Sequence, residues 1–453
     1  MSLKPLLLLA LLIASFQAQS RPTSNQAIEA LDRAIRSFHR TNVEGGYAYY
    51  VTPDLEHRWG EGILLSNEIE VQPPGTPAVG QAFLRVHRTT GSEIALTAAT
   101  DAAHALARGQ TPLGGWNHTI RFDEKPRASV SFDDDQTQSA TRFLIALDAE
   151  IDDPAIDSAI EKAIAMMIAT QLENGGWPHQ YPEQGNYHDF ATFNDQGIND
   201  CIRVMIEADR QYGDPAIRAS LEKAALFLMR SQLPPPQPGW AQQYNAYLQP
   251  AWARAFEPPS VCPLVTVNNI HTLIDLHLRL GDPTLPLAIP DAIRWLDSIR
   301  LENGLWARFV EIHTNQPLYY DRGRIRVNSI EELSLERRSG YGYEVNLKGR
   351  LESARDRFAA LSRLGGTALA EVEGKRLYSP SERASLGEES EAILGQLDEN
   401  SLWITRGDRF KKRVPGELWQ GEYEVTDRIS SRVFIDNVTT LCDYLDALAA
   451  LNR

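Results

Sequence analysis

Two groups of side chains in this sequence have the types and spacing to do chemistry together. The first is acidic. Ser131-Phe-Asp-Asp-Asp-Gln136 carries three consecutive carboxylates, Asp133 to Asp135, and Thr192-Phe-Asn-Asp-Gln196 carries Asn194-Asp195. Clustered oxygen donors without zinc-type motifs suit calcium. The second group is cationic. Between Arg300 and Arg350 lie Arg308, Arg322, Arg324, Arg326, Arg337, Arg338 and Lys348, an unexpected density in a chain of net charge −15. Guanidinium forks match carboxylates bidentately. Any one of these arginines could simply pair with Glu311, Glu331, Glu332 or Glu336. As a cluster beside Trp306, Tyr319 and Tyr320, they point to an anionic sugar, held by arginine and stacked on aromatic faces.

The elements that must position these groups repeat. Gln110-Thr-Pro-Leu-Gly-Gly-Trp116 returns as Gln171-Leu-Glu-Asn-Gly-Gly-Trp177, then as Pro238-Gly-Trp240, Glu302-Asn-Gly-Leu-Trp306 and Asp398-Glu-Asn-Ser-Leu-Trp403. The first four tryptophans are 61, 63 and 66 residues apart. A period of that size marks a repeat architecture. A second marker keeps the same phase: Asp153-Pro154, Asp214-Pro215 and Asp282-Pro283 lie 23 to 25 residues before their tryptophans, with aspartate placed to cap a helix and proline to begin it. The stripe Ile156, Ala159, Ile160, Ala163 and Met167 has helical spacing.

Each unit is therefore read as a helix hairpin, repeated some five or six times. Hairpins that cannot bury their stripes alone must stack. The expected class is all-α: an α/α toroid with long loops and a few short strands, such as those at Tyr319-Tyr320 and Ile325-Arg-Val327. Every first helix opens with Asp or Asn, whose ordinary role is capping. In a ring these entries converge on one face, and the density at Asp133 to Asp135 and Asn194-Asp195 exceeds what capping needs.

Composition bounds the partners. The acidic balance disfavours nonspecific nucleic-acid binding, which needs a basic footprint. Lys4 and the apolar run Pro5 to Phe16, followed by Ala18 and Ser20, suit a signal peptide of residues 1–20 and export to a periplasm or beyond. No other segment reads as membrane-spanning. Residues 21–453 are read as one domain and the protein as a monomer. Cys201, Cys262 and Cys442 are too scattered for a disulfide scaffold or a zinc site; one disulfide among them is open.

At this point the motifs resemble a known family. Asn174-Gly-Gly-Trp-Pro178, Gln180-Tyr-Pro182, Tyr187 and Thr192-Phe-Asn-Asp195 are similar to the central motif of the family-ten pectate lyases. Ala253-Arg-Ala-Phe-Glu-Pro-Pro-Ser260, Leu305-Trp-Ala-Arg-Phe309, Asp321-Arg322 and Glu336-Arg-Arg-Ser-Gly-Tyr341 follow in the family's order. The match spans about residues 110–345, and residues 344–453 diverge. The resemblance implies an α/α toroid and calcium-assisted β-elimination of polygalacturonate. It implies that Asp133 is the active-centre aspartate and that Asp133 and Asp195 hold Ca²⁺. It implies a catalytic Arg254, within the motif of the family's base, although a metal-bound hydroxide or another arginine could serve instead. Arg308, Arg322 and Arg337 match its substrate arginines, and Trp177 and Tyr341 lie in its motifs as substrate-binding aromatics. Three other readings stand beside it: a triterpene-cyclase-like ring, a noncatalytic protein that captures acidic oligosaccharides, and a lyase for a different uronate.

Overall fold

Each repeat closes through one tryptophan and, in three of the five, one glutamine. The computed structural model describes residues 21–411 and 422–451; the expected signal peptide, residues 1–20, lies outside them. The indole N–H of Trp116 donates to the Leu106 carbonyl at 2.9 Å, and Trp177 to Met167 at 2.8 Å. Trp240, Trp306 and Trp403 do the same toward Leu228, Ile393's counterpart Leu296, and Ile393 itself. Each indole thus satisfies a carbonyl near the end of the preceding helix, where the helix has no partner of its own. The Gln171 amide bonds the Gly175 carbonyl at 2.9 Å and Ser220 of the following hairpin at 3.0 Å. Gln110 and Gln232 are placed in the same way. Gly114 and Gly175 are required: each has φ near +100°, and a Cβ there would strike the carbonyl of Lys162 or Lys223.

The helices are α1 (Ser24–His39), α2 (Thr76–Thr90), α3 (Glu93–Gly109), α4 (Gln136–Asp148), α5 (Pro154–Thr170), α6 (Gly197–Tyr212), α7 (Pro215–Ser231), α8 (Pro263–Leu280), α9 (Ile289–Ser298), α10 (Leu335–Gly340), α11 (Lys348–Leu364), α12 (Gly366–Glu373), α13 (Pro380–Gly395) and α14 (Ser431–Ala449). Helices α14, α2, α4, α6, α8 and α11 pack in succession as an inner ring, with α13, α1, α3, α5, α7 and α9 outside them. The last hairpin returns to the first: α14 lies on α1 and α2, Arg85 reaches Asp443 at 3.2 Å, and the Tyr444 hydroxyl donates to the Pro22 carbonyl. The result is the expected all-α toroid. One apolar core runs from Ala27 to Leu445. The three cysteines are buried and free. Among the described residues no helix is long and apolar enough to cross a membrane.

The capping signals divide. Asp153 caps α5 and Asp214 caps α7 through their carboxylates. Asp282-Pro283 departs from the expectation: it forms a turn in which Asp282 accepts the Thr284 N–H, and α9 begins only at Ile289. The entries to α4 and α6 have no side-chain cap. There the acids remain available for something else.

The long loops all enter the inner helices and so gather at one end. They are stitched to one another. Val130-Ser131 pairs with Gln180-Tyr181, Ala191-Thr192 with Gln243-Tyr244, and Glu68–Glu70 with Thr119–Arg121. The Tyr319–Asp321 and Ile325–Val327 hairpin falls where expected. Unexpected is a five-stranded sheet in the order Ile404–Lys411, Tyr423–Ser430, Tyr50–Val51, Arg58–Trp59, Ile63–Leu64. It joins the first long loop to the last.

Candidate active site

Two successive loop ends carry the acids, and they are copies of one another. In Ser131-Phe-Asp-Asp-Asp and Thr192-Phe-Asn-Asp-Gln the hydroxyl accepts the N–H two residues on, at 3.2 and 3.0 Å. Each loop then makes two consecutive left-handed residues: Asp134 and Asp135 (φ 47° and 59°), Asp195 and Gln196 (φ 45° and 67°). Strained pairs of this kind collect at functional sites. The Gln138 amide ties the loops together, donating to the Phe132 and Gly197 carbonyls.

This geometry brings Asp133, Asp134 and Asp195 to one point. One carboxylate oxygen from each lies within 4.8 Å of the other two. Three oxygen donors at that spacing fit a hard divalent cation. Asp133 Oδ1 is also buried without a hydrogen-bond partner. Crowding moves the acids apart in pKa. Burial, then Asp133, Asp195 and Glu61, push Asp134 up to about 7, with His118 easing it. Enclosure and Asp133 raise Asp195, while Arg308 and Arg254 oppose that. Burial would raise Asp133, but His179 and then Arg254 outweigh it and hold it below the usual carboxylate range.

Arg254 and Arg308 thus face the acids from the next two loops. Arg254 donates from Nε to Glu257 Oε2 at 2.9 Å, and Glu257 is buried. Burial would lower the Arg254 guanidinium, but Glu257 more than reverses it and holds the group firmly charged. The Tyr341 hydroxyl donates to the other Glu257 oxygen at 2.7 Å, and its ring lies 4.4 Å from the Arg308 guanidinium carbon. Arg308 has a buried Nε without a partner, and no ion pair is found for it among the described residues. Arg337 is buried, with Nε and Nη1 unpartnered, and stacks 4.0 Å from the Phe256 ring centre. Arg322 is more exposed and grips Glu336 at 2.6 Å. That contact and Arg337 bring Glu336 down to about 2.

Of the expected site residues, Asp133, Asp195, Arg254 and Arg308 therefore come together. Tyr341 and Arg337 pack beneath the arginines, and Arg322 lies at the edge. Trp177 requires correction. It is wholly buried and its indole N–H is taken by Met167, so it offers no face to a ligand. It belongs to the repeat, like Trp116 and Trp240. Glu257 and His179 escaped the sequence reading, and Asp134 stood in the acidic run without being assigned as a ligand. Asp134 had a signal: it stands 61 residues before Asp195, the same spacing as Trp116 to Trp177.

Comparison with known proteins gives one family. The model described as pectic acid lyase matches residues 110–304 and 299–351, more than half of the chain. The solved family 10 polysaccharide lyase from Cellvibrio cellulosa is similar over 64% of this chain and 98% of its own, at 20% identity and a TM-score of 0.51. A mutant of that lyase in complex with trigalacturonic acid covers 62% and 98%, with the same identity and TM-score. At this identity the likeness is one of fold. No curated protein sequence matches the chain.

Proposed function

The chain belongs to the pectic acid lyase family and is a polysaccharide lyase, and from that premise we propose that it cleaves polygalacturonate by calcium-assisted β-elimination after export from the cytoplasm. One observation carries the reading: three carboxylates that fit a divalent cation share a mouth with Arg254 and Arg308, which both act on Asp195. The trigalacturonic acid held by the similar family 10 lyase supports a uronate substrate.

In β-elimination the C5–H and C4–O bonds break, a C4=C5 double bond forms, and the leaving sugar oxygen takes up a proton. The C5 proton is poorly acidic while the adjacent carboxylate is charged. A divalent cation, when bound, neutralises that carboxylate and stabilises the charge that develops as the proton leaves. Asp133, Asp134 and Asp195 would hold it. Arg308, with its unpartnered Nε, would orient the sugar carboxylate. Arg254 accepts the C5 proton in this reading only as the neutral guanidine, so one proton must first leave the guanidinium for solvent. Glu257 opposes that role in the substrate-free protein, so proton transfer requires the Arg254–Glu257 pair to loosen on binding. On the neighbouring rim a cavity of about 490 Å³ is lined by the cations Lys125 and Arg127 and the acids Glu68 and Glu124 among others, and offers room for a further sugar.

The test is ultraviolet absorbance of the unsaturated product from polygalacturonate, with calcium and with a chelator. Absorbance that appears with calcium and vanishes on chelation is expected. Binding without absorbance, or activity on another uronate alone, overturns the substrate assignment.

A further inference from the structure

Of the three arginines between Asp321 and Val327, two are neutralised and one is not. Arg322 pairs with Glu336 at 2.6 Å, and Arg326 with Glu311 at 2.6 Å. Asp321 is also engaged: it accepts the Ser334 N–H at 2.6 Å and the Ser334 hydroxyl at 3.0 Å. For the exposed Arg324 guanidinium no carboxylate or hydrogen-bond partner is found among the described residues. In a chain of net charge −15, with acids on every side, that leaves a cation for something outside the protein.

The unpaired side chain is held in place all the same. Arg324 is left-handed (φ 62°), which costs a non-glycine residue and persists only where the surroundings impose it. Here its N–H donates to the Ala255 carbonyl at 2.9 Å. Its guanidinium carbon lies 4.6 Å from the centre of the Trp252 ring, and Tyr320 packs perpendicular to that ring at 5.2 Å. An arginine laid on an aromatic face has a fork that is already oriented, so less freedom is lost when it binds. Trp252 and Ala255 flank Arg254, and Arg322 in turn feels the Arg254 charge. Arg324 therefore extends the cationic surface of the site outward from Arg254.

We propose that Arg324, carried on Trp252, is an outer subsite for the carboxylate of a further uronate in the bound chain, so that the enzyme selects longer, unesterified stretches. This rests on the polygalacturonate reading of the site. A methyl ester removes the charge and the two-oxygen acceptor that a guanidinium fork matches.

The test is kcat/KM, with calcium, for trigalacturonate, hexagalacturonate and methyl-esterified hexagalacturonate, read by absorbance of the unsaturated product. Only the longer chain reaches an outer subsite. Arg324→Gln is expected to lose about fivefold on hexagalacturonate, the upper end for an exposed ion pair, and less than about twofold on trigalacturonate. The loss on hexagalacturonate should shrink at high salt. Equal losses on both lengths overturn the proposal, because a general disturbance of the site acts whatever the chain length. So does an equal loss on the esterified hexamer. A wild-type protein that cleaves the hexamer no better than the trimer overturns it as well, and needs no variant to fold. In each of these cases cleavage itself persists and only this inference fails. If the wild-type protein releases no unsaturated product from any of the three, the polygalacturonate reading fails with it.

Discussion

Asp134 and Asp195 occupy the same place in two successive hairpin entries, each in left-handed backbone (φ 47° and 45°), and their carboxylates meet. The repeat thus does more than build a ring. A turn that adds nothing to its own helix as a cap is copied to the neighbouring hairpin, and the two copies converge because adjacent loops are paired strand to strand.

Asp134 is accordingly expected to be a metal ligand equal to Asp195. Asp134→Asn and Asp195→Asn should each weaken Ca²⁺ binding by about tenfold or more in calorimetry, since a hard cation depends on ligand charge. Neither should lower the melting temperature of the metal-free protein, because neither carboxylate caps its helix. Unchanged Ca²⁺ affinity in Asp134→Asn would remove it from the site.

The raised pKa of Asp134, about 7, fixes two opposite pH trends. The metal-free folded state holds a proton that the unfolded chain has released, so stability falls as pH rises from the ordinary carboxylate range through 7. Cation binding must displace that proton, so affinity should climb by about tenfold per pH unit below 7 and level off above it. Asp134→Asn should flatten the affinity trend and remove only its share of the stability trend, because burial pushes Asp135 up to about 7 as well and raises Asp195. A chelated wild-type protein whose stability rises between pH 5 and 7 would contradict the assignment.

Much of this arrangement was legible in the sequence, because capping and periodicity are local. The helix starts at Asp153-Pro154 and Asp214-Pro215, the tryptophan period and the acids at the mouths of α4 and α6 follow from neighbouring residues, whereas the Asp or Asn expected to open the later units, Asn268-Asn269 and Asp436-Asn437, lies inside α8 and α14. The five-stranded sheet was not, since it pairs Tyr50–Val51 with Tyr423–Ser430, nearly the whole chain apart. Its strand 423–430 alternates only in part, because Asp427 interrupts the series Tyr423, Val425 and Ile429, and a broken alternation in a polar stretch is a weak signal. Glu257 was hidden for a related reason: its role comes from Arg254 and from Tyr341, 84 residues away. Trp177 misled because a tryptophan within a functional motif reads as a ligand surface, whereas here burial and the Met167 carbonyl claim it.

Trp177 variants should therefore fail through folding. Trp177→Ala removes a fully buried ring and leaves the Met167 carbonyl unpaired, a loss of about 3–5 kcal/mol in denaturant unfolding. Trp177→Phe should lose less, and the folded fraction should keep its KM for polygalacturonate. A raised KM in fully folded Trp177→Phe would restore a ligand role.

Arg308 and Arg322 should differ as substrate contacts. Arg322 already grips Glu336, and an exposed ion pair of this kind is worth about 0–1 kcal/mol. Arg308 has an unpartnered Nε and acts on Asp195. A charge-assisted bond is worth about 1.5–3 kcal/mol, so Arg308→Ala should raise KM by roughly tenfold or more, and Arg322→Ala by only a few-fold. Equal effects would mean that Glu336 releases Arg322 to the substrate.

The pair Arg254–Glu257 separates two ways for an arginine to act. Arg254→Ala should cost about a hundredfold or more in kcat with a modest loss of binding, whichever way it acts. Glu257→Gln distinguishes them. It removes the charge that keeps the guanidinium protonated and leaves a neutral side chain of the same shape. If Arg254 must accept the C5 proton, its deprotonated form becomes more accessible, and the rising limb of the kcat against pH profile moves to lower pH. If Arg254 works only as a fixed positive charge, that limb stays where it is and kcat falls across the whole range as the guanidinium loses its orientation. A profile unchanged in both position and height would show that Glu257 bears on neither role.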